Sequence, residues 1–172
     1  MRRLILAMAG VLALSACARG DVKPEGPGGP PPAESAGVET ISYETGPCFG
    51  ACPVYRVTVS SDGTGVFTGI RHTQVIGERR FRVTPQQYLT FREQLEPWLP
   101  AEGEKLYQPG SPLCQQVATD LPSVDIRVRK GARSSRLYYY YGCDNEKNMT
   151  MGEALGTATD ALPLDAFVGE IP

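Results

Sequence analysis

The sequence predicts an α+β fold: an antiparallel β-sheet with about two helices packed on one face, stapled by disulfides. Three observations point there. Short stretches alternate apolar and polar side chains around turn signals such as Ser61-Asp62-Gly63-Thr64 and Lys130-Gly131-Ala132, the pattern of hairpins buried on one face. Two other stretches carry apolar residues at helical spacing, each opened by a capping signature. Four cysteines follow an export signal, and an oxidising compartment favours their pairing.

The signal occupies residues 1–16. Arg2 and Arg3 supply a charged start, and Leu4 to Leu14 an apolar run too short for a stable membrane span. The run ends in Leu14-Ser15-Ala16-Cys17, which resembles the lipobox of bacterial lipoproteins. The resemblance implies that the Cys17 thiol is acylated, with chains such as palmitate, and that the leader is cut in front of it. Ala18 rather than Asp follows the cysteine. By resemblance to known sorting behaviour, that implies the outer membrane, facing the periplasm. Residues 17–37 then read as a tether. Ten of the twenty residues from Ala18 to Gly37 are Pro or Gly, too little apolar surface to offset chain entropy. As a coil this stretch spans on the order of 25 Å.

Residues 38–172 read as one domain. Losing Arg2 and Arg3 with the leader leaves 17 − 2 = 15 basic against 19 acidic side chains, a net charge of −4. That balance argues against nucleic acid as a partner, and against binding to anionic lipid by bulk charge. Val38 to Tyr43 reads as a first strand. In Val54 to Val59, Tyr55, Val57 and Val59 point one way, and Gly65 to Ile70 returns as its partner. Arg79 to Val83 makes a fourth strand with Phe81 and Val83 inward. Thr84-Pro85-Gln86-Gln87 then caps a helix whose apolar face is Tyr88, Phe91, Leu95 and Trp98, closed by Pro100. Ala101 to Leu121 reads as an irregular connection. Val124 to Arg129 and Arg136 to Tyr141 form a second hairpin. A last helix is expected near Thr150, capped by Thr150 with Glu153, with Met151, Leu155, Ala158 and Leu162 as its stripe and an interruption at Pro163.

The most unusual stretch is Gly46-Pro47-Cys48-Phe49-Gly50-Ala51-Cys52-Pro53-Val54-Tyr55. Two cysteines four apart lie between prolines, with glycines that permit unusual backbone angles. Together with Asp62-Gly63 and Phe67-x-Gly69, this segment resembles the hallmark of a bacterial domain-of-unknown-function family found in envelope lipoproteins. The resemblance spans roughly Ile41 to Val168 and implies no activity or catalytic residue.

With Cys17 used for lipidation, Cys48, Cys52, Cys114 and Cys143 admit three pairings. Cys48 with Cys52 and Cys114 with Cys143 is favoured: the first closes a corner already bent, the second pins a loop to the end of a hairpin. On chain-entropy grounds they contribute about 2 and about 3.6 kcal/mol. A redox or copper site at Cys48 and Cys52 is the sharper alternative, since thiolates suit cuprous copper and Met149 and Met151 could add soft ligands. A strand follows the motif where such sites use a helix, and His72 is the one histidine. A structural disulfide therefore outweighs it. No hydrolase elbow, metalloprotease helix or phosphate loop occurs, and neither cofactor nor metal is expected.

Tyr138 to Tyr141 is the other anomaly. Alternation sends Tyr138 and Tyr140 to one face and Leu137, Tyr139 and Tyr141 to the other. If the first face is open, Tyr138 and Tyr140 offer a candidate binding surface for an envelope protein or a glycan. The expected function is that of a non-catalytic lipoprotein, a membrane-anchored binding or structural module. The alternative is a thiol-redox or copper-handling protein.

Overall fold

Residues 37–169 are described by the computed structural model. The expected signal, the candidate lipidation site Cys17 and the expected tether up to residue 36 lie outside the described residues.

The first strand of the domain, β1 (Glu39–Thr45), becomes the middle of a seven-stranded sheet. To one side lie β2 (Val54–Ser60), β3 (Thr64–Arg71) and β4 (Gly77–Arg82), each antiparallel to the last. To the other lie β6 (Ser123–Lys130) and β7 (Arg133–Tyr140), also antiparallel, and then β5 (Gly103–Tyr107). Strand β5 is the exception, running parallel to β7 at the edge. The sheet order is β4-β3-β2-β1-β6-β7-β5.

Alternation sorts the two faces as the sequence predicts. Ile41, Tyr43, Tyr55, Val57, Val59, Phe67, Val124, Ile126, Leu137 and Tyr139 form the buried face. Helix α1 (Pro85–Leu95) covers it with Tyr88, Phe91 and Leu95. Its capping box is complete: Thr84 Oγ1 accepts from the Gln87 N–H, and Gln87 Oε1 accepts from the Thr84 N–H. Helix α2 (Met149–Thr157), a 3₁₀ turn (Ala158–Ala161) and α3 (Asp165–Val168) complete the cover with Met151, Leu155, Ala158 and Leu162.

The structure corrects several local expectations. Helix α1 ends at Leu95, so Trp98 packs on the core from the turn after it, and Ala158 and Leu162 lie past the end of α2. The connection after α1 is not wholly irregular, because Gly103–Tyr107 becomes β5. This short segment gains strand geometry from pairing with β7, and Tyr107 packs edge-on to Tyr139 at 5.9 Å. Thr150 does not cap α2. Asn148 occupies that position without a side-chain cap, and its amide donates instead to the Cys143 carbonyl. The tight Cys143–Asn148 turn thus starts the helix two residues early.

The cysteines bond as Cys48–Cys52 and Cys114–Cys143. The second bond is sealed, with its cysteines 5% and 0% exposed. It ties the 111–118 loop to the turn after β7, where Asp144 also accepts from the Gln115 and Gln116 N–H groups. Among the described residues no helix is long and apolar enough to cross a membrane.

Candidate functional site

The Gly46–Pro53 corner leaves β1 and turns back into β2, held at several points. Thr45 Oγ1 donates to the Pro53 carbonyl at 2.8 Å and accepts from the Tyr55 N–H at 3.0 Å. The Gly46 N–H donates to the Ser123 carbonyl, and the Phe49 N–H to that of Asp120. Gly50 has φ 149°, a conformation that favours glycine. The corner is therefore fixed by its disulfide, by β1 and by the loop before β6. Phe49 is thrust outward and is 87% exposed, extreme for a large apolar side chain.

Between this corner and the α2–α3 segment lies a cleft of about 570 Å3, more apolar than polar in lining. Cys48, Cys52 and Phe49 form one wall. The opposite wall is Gly156, Thr159, Asp160, Leu164 and Asp165. Tyr43, Tyr55 and Tyr141 form the floor. The Tyr43 hydroxyl donates to the Leu155 carbonyl at 3.0 Å, and the Tyr55 hydroxyl shares a hydrogen bond with Thr159 Oγ1 at 3.2 Å. Gly156 leaves room for Tyr141: a Cβ there would stand 3.2 Å from the Tyr141 hydroxyl.

Burial raises the pKa of all three phenols. The carboxylate of Asp160 adds a smaller push in the same direction on Tyr43 and Tyr55, so its field reaches the floor. Among the described residues, Asp160 and Asp165 are the charged ones lining the cleft, and no Lys, Arg or His does so.

The other face of the sheet is open and polar. Thr40, Ser42 and Thr58 line a depression of about 410 Å3 flanked by Arg56, Arg127 and Arg129. Its acids are mostly paired: Glu44 with Arg56, and Asp125 with both Arg127 and Arg136. Burial alone would raise the Asp125 pKa, but its bonds from Arg136 and Arg127 outweigh that and lower it.

The predicted residues separate onto different surfaces. Cys48 and Cys52 line the cleft. Cys114 and Cys143 belong to the buried core. Tyr138 and Tyr140 are half-buried on the face opposite Tyr139. Tyr138 stands in register with Asp125 and Leu106. The Tyr140 hydroxyl accepts from the Leu121 N–H at 3.4 Å, tying it to the loop before β6. Met151 is core, whereas Met149 is exposed at the start of α2. His72 is exposed in the β3–β4 connection with left-handed backbone. Among the described residues no group of three or more His, Cys, Asp or Glu is arranged to hold a metal ion.

The cleft was not legible as a site. Tyr43, Tyr55 and Tyr141 read as strand residues of a buried face, and Asp160 sits more than 100 positions from the corner. The one signal pointing to it was the corner motif itself.

No curated protein matches the chain. Residues 39–158 match a family described as a domain of unknown function, DUF6438. The match takes in the corner and the tyrosine floor, while the wall from Thr159 to Asp165 lies past its end. With more than half of its length matched, the chain belongs to the DUF6438 family.

Proposed function

We propose that this is a lipid-anchored envelope protein of the bacterial periplasm, held at the outer membrane through Cys17, whose domain is a non-catalytic binding module. The site is the cleft beside the Cys48–Cys52 corner. One observation carries the reading: an apolar cleft of about 570 Å3 with Phe49 displayed at its lip. Ligand sites are concave and mostly apolar, with a few polar groups, in the range of about 300–1,000 Å3. A large aromatic left in water beside such a cleft costs hydration free energy that contact with a ligand recovers. The non-catalytic reading is supported by the phenols of the floor, whose raised pKa values lie far from the range useful for acid–base work near neutrality. The export and anchoring part rests on the lipobox-like Leu14-Ser15-Ala16-Cys17.

Fragment mapping by amide NMR shifts tests the site. Small apolar and aromatic fragments should perturb Gly46, Gly156 and Thr159 in the cleft. They should leave Ser42, Thr58 and Arg127 on the open face unmoved. Perturbations concentrated on the open face, around Tyr138 and Tyr140, would transfer the binding role to that surface.

A second reading, a thiol-redox or copper-handling centre at Cys48 and Cys52, draws on one contrast. This disulfide is half-exposed at a cleft, whereas Cys114–Cys143 is sealed. The surroundings weigh against it. A strand follows the motif, no cation among the described residues lines the cleft, and lowered thiol pKa values come from helix N-termini or nearby cations.

A further inference from the structure

We propose that the cleft takes an organic cation with an apolar body, such as a protonated amine or quaternary ammonium carried on an aromatic or branched aliphatic frame. The inference rests on the binding reading of the same cleft and names the chemistry of its ligand.

Three features converge. The cleft is open to solvent, and its volume of about 570 Å3 suits a small molecule lying along its side chains. Its lining is largely apolar and aromatic, with three tyrosine rings below and Phe49 at the lip. Among the described residues its charge has one sign. Neither Asp160 nor Asp165 forms an ion pair with another of the described residues, and neither side chain accepts a hydrogen bond from them. The acids of the neighbouring sheet surfaces are paired, as Glu39 is with Arg92 and Asp125 with Arg136, whereas these two stand free of such pairs beside an apolar cleft.

An anion entering this space would meet two carboxylates and aromatic side chains, with no described cation to receive it. A neutral apolar molecule would fill the floor but leave both carboxylates without a partner. A cation with an apolar body satisfies both parts. Its body replaces water over the tyrosines, and its charge lies between the Asp wall and the rings, where carboxylate attraction and cation–π attraction add. Asp160 already acts electrostatically on Tyr43 and Tyr55, so a charge placed over the floor falls within its field.

The test is a charge series on one frame: phenethylamine, phenethyl alcohol and phenylacetate, titrated into the full-length protein in neutral-detergent micelles. Amide shifts of Gly156, Thr159 and Asp160 are followed. Phenethylamine should bind about tenfold more tightly than the alcohol, phenylacetate should be weakest, and added salt should narrow the difference. The exposed pair Asp160→Asn and Asp165→Asn should remove the preference, bringing the amine to the level of the alcohol. If the alcohol or the acid matches the amine at these amides, the cleft remains a binding site and the cation assignment is wrong. The assignment also fails if the double variant keeps the preference. If none of the three compounds moves the cleft amides, both the assignment and the cleft's binding role fall.

Discussion

At Tyr43 one ring serves both core and cleft. It packs edge-on to Phe91 at 6.3 Å and lies 6.4 Å from Tyr55, while its hydroxyl donates to the Leu155 carbonyl. A buried phenol keeps its proton because the phenolate would lose hydration it cannot replace. The pKa values of Tyr43, Tyr55 and Tyr141 are accordingly raised, first by burial and then by neighbouring phenols or Asp160. The sign follows from linkage. A folded-state pKa above the unfolded value of about 10 contributes stability that is complete below about pH 10. That stability is lost as pH rises through the folded values, because the unfolded chain releases its protons first. Denaturant midpoints should therefore fall steeply above about pH 10, with tyrosinate absorbance from these rings appearing together with unfolding. Tyr55→Phe should cost about 1 kcal/mol at neutral pH through its lost bond to Thr159 and should flatten the alkaline decline. A midpoint independent of pH across that range would show that the floor hydroxyls are solvated in the folded protein.

At the scale of elements, the two disulfides have separate roles. Cys48 and Cys52 are 4 apart in sequence, Cys114 and Cys143 29 apart. Loop-closure entropy then ranks them at about 2 and about 3.6 kcal/mol. The Cys114/Cys143 double Ser variant should lose more than its ranking suggests, because two hydroxyls replace sulfurs in the core. The Cys48/Cys52 double Ser variant should lose only about 2 kcal/mol in denaturant unfolding yet weaken ligand shifts in the cleft, since it loosens one wall. A reduction potential for this pair well above about −300 mV, or cuprous binding that disappears in this variant, would favour the redox reading over the structural one.

Legibility in the sequence divides along the same elements. The first capping box and the period of Tyr88, Phe91 and Leu95 are local chemistry, and α1 forms where they place it. The hairpins were readable from Asp62-Gly63 and Gly131 with alternation on either side. Strand β5 was not, because Gly-Glu-Lys-Leu-Tyr has little pattern of its own and becomes a strand through β7. The α2 cap was misplaced because Thr150 and Glu153 have the right spacing but the preceding turn decides where the helix begins. The cleft needed both β-sheet register and the path of the chain after α2. No local pattern contains those.

Across the whole domain, the antiparallel register separates the end where the chain enters from the cleft. Glu39 pairs with Lys130 and Thr40 with Ser60, so the end where residue 37 joins β1 also holds the Ser60–Thr64 turn, Lys130 and Arg133. The Gly46 corner, Pro122 and Tyr141 lie past the other end of the same strands. Seven residues of β1 at about 3.3 Å each put roughly 20 Å between these ends. On the proposed anchoring through Cys17, the lipid pulls on the end remote from the cleft. On vesicles containing spin-labelled lipid, the amides of Gly63 and Lys130 should broaden more than those of Gly46 and Thr159. Cys17→Ala should abolish acylation and release the protein from the membrane fraction, or leave it as uncleaved precursor. Normal acylation of that variant would remove Cys17 as the anchor. Equal broadening at the cleft in the acylated protein would mean that the site faces the bilayer, and its ligand would then be sought among membrane components rather than in the periplasm.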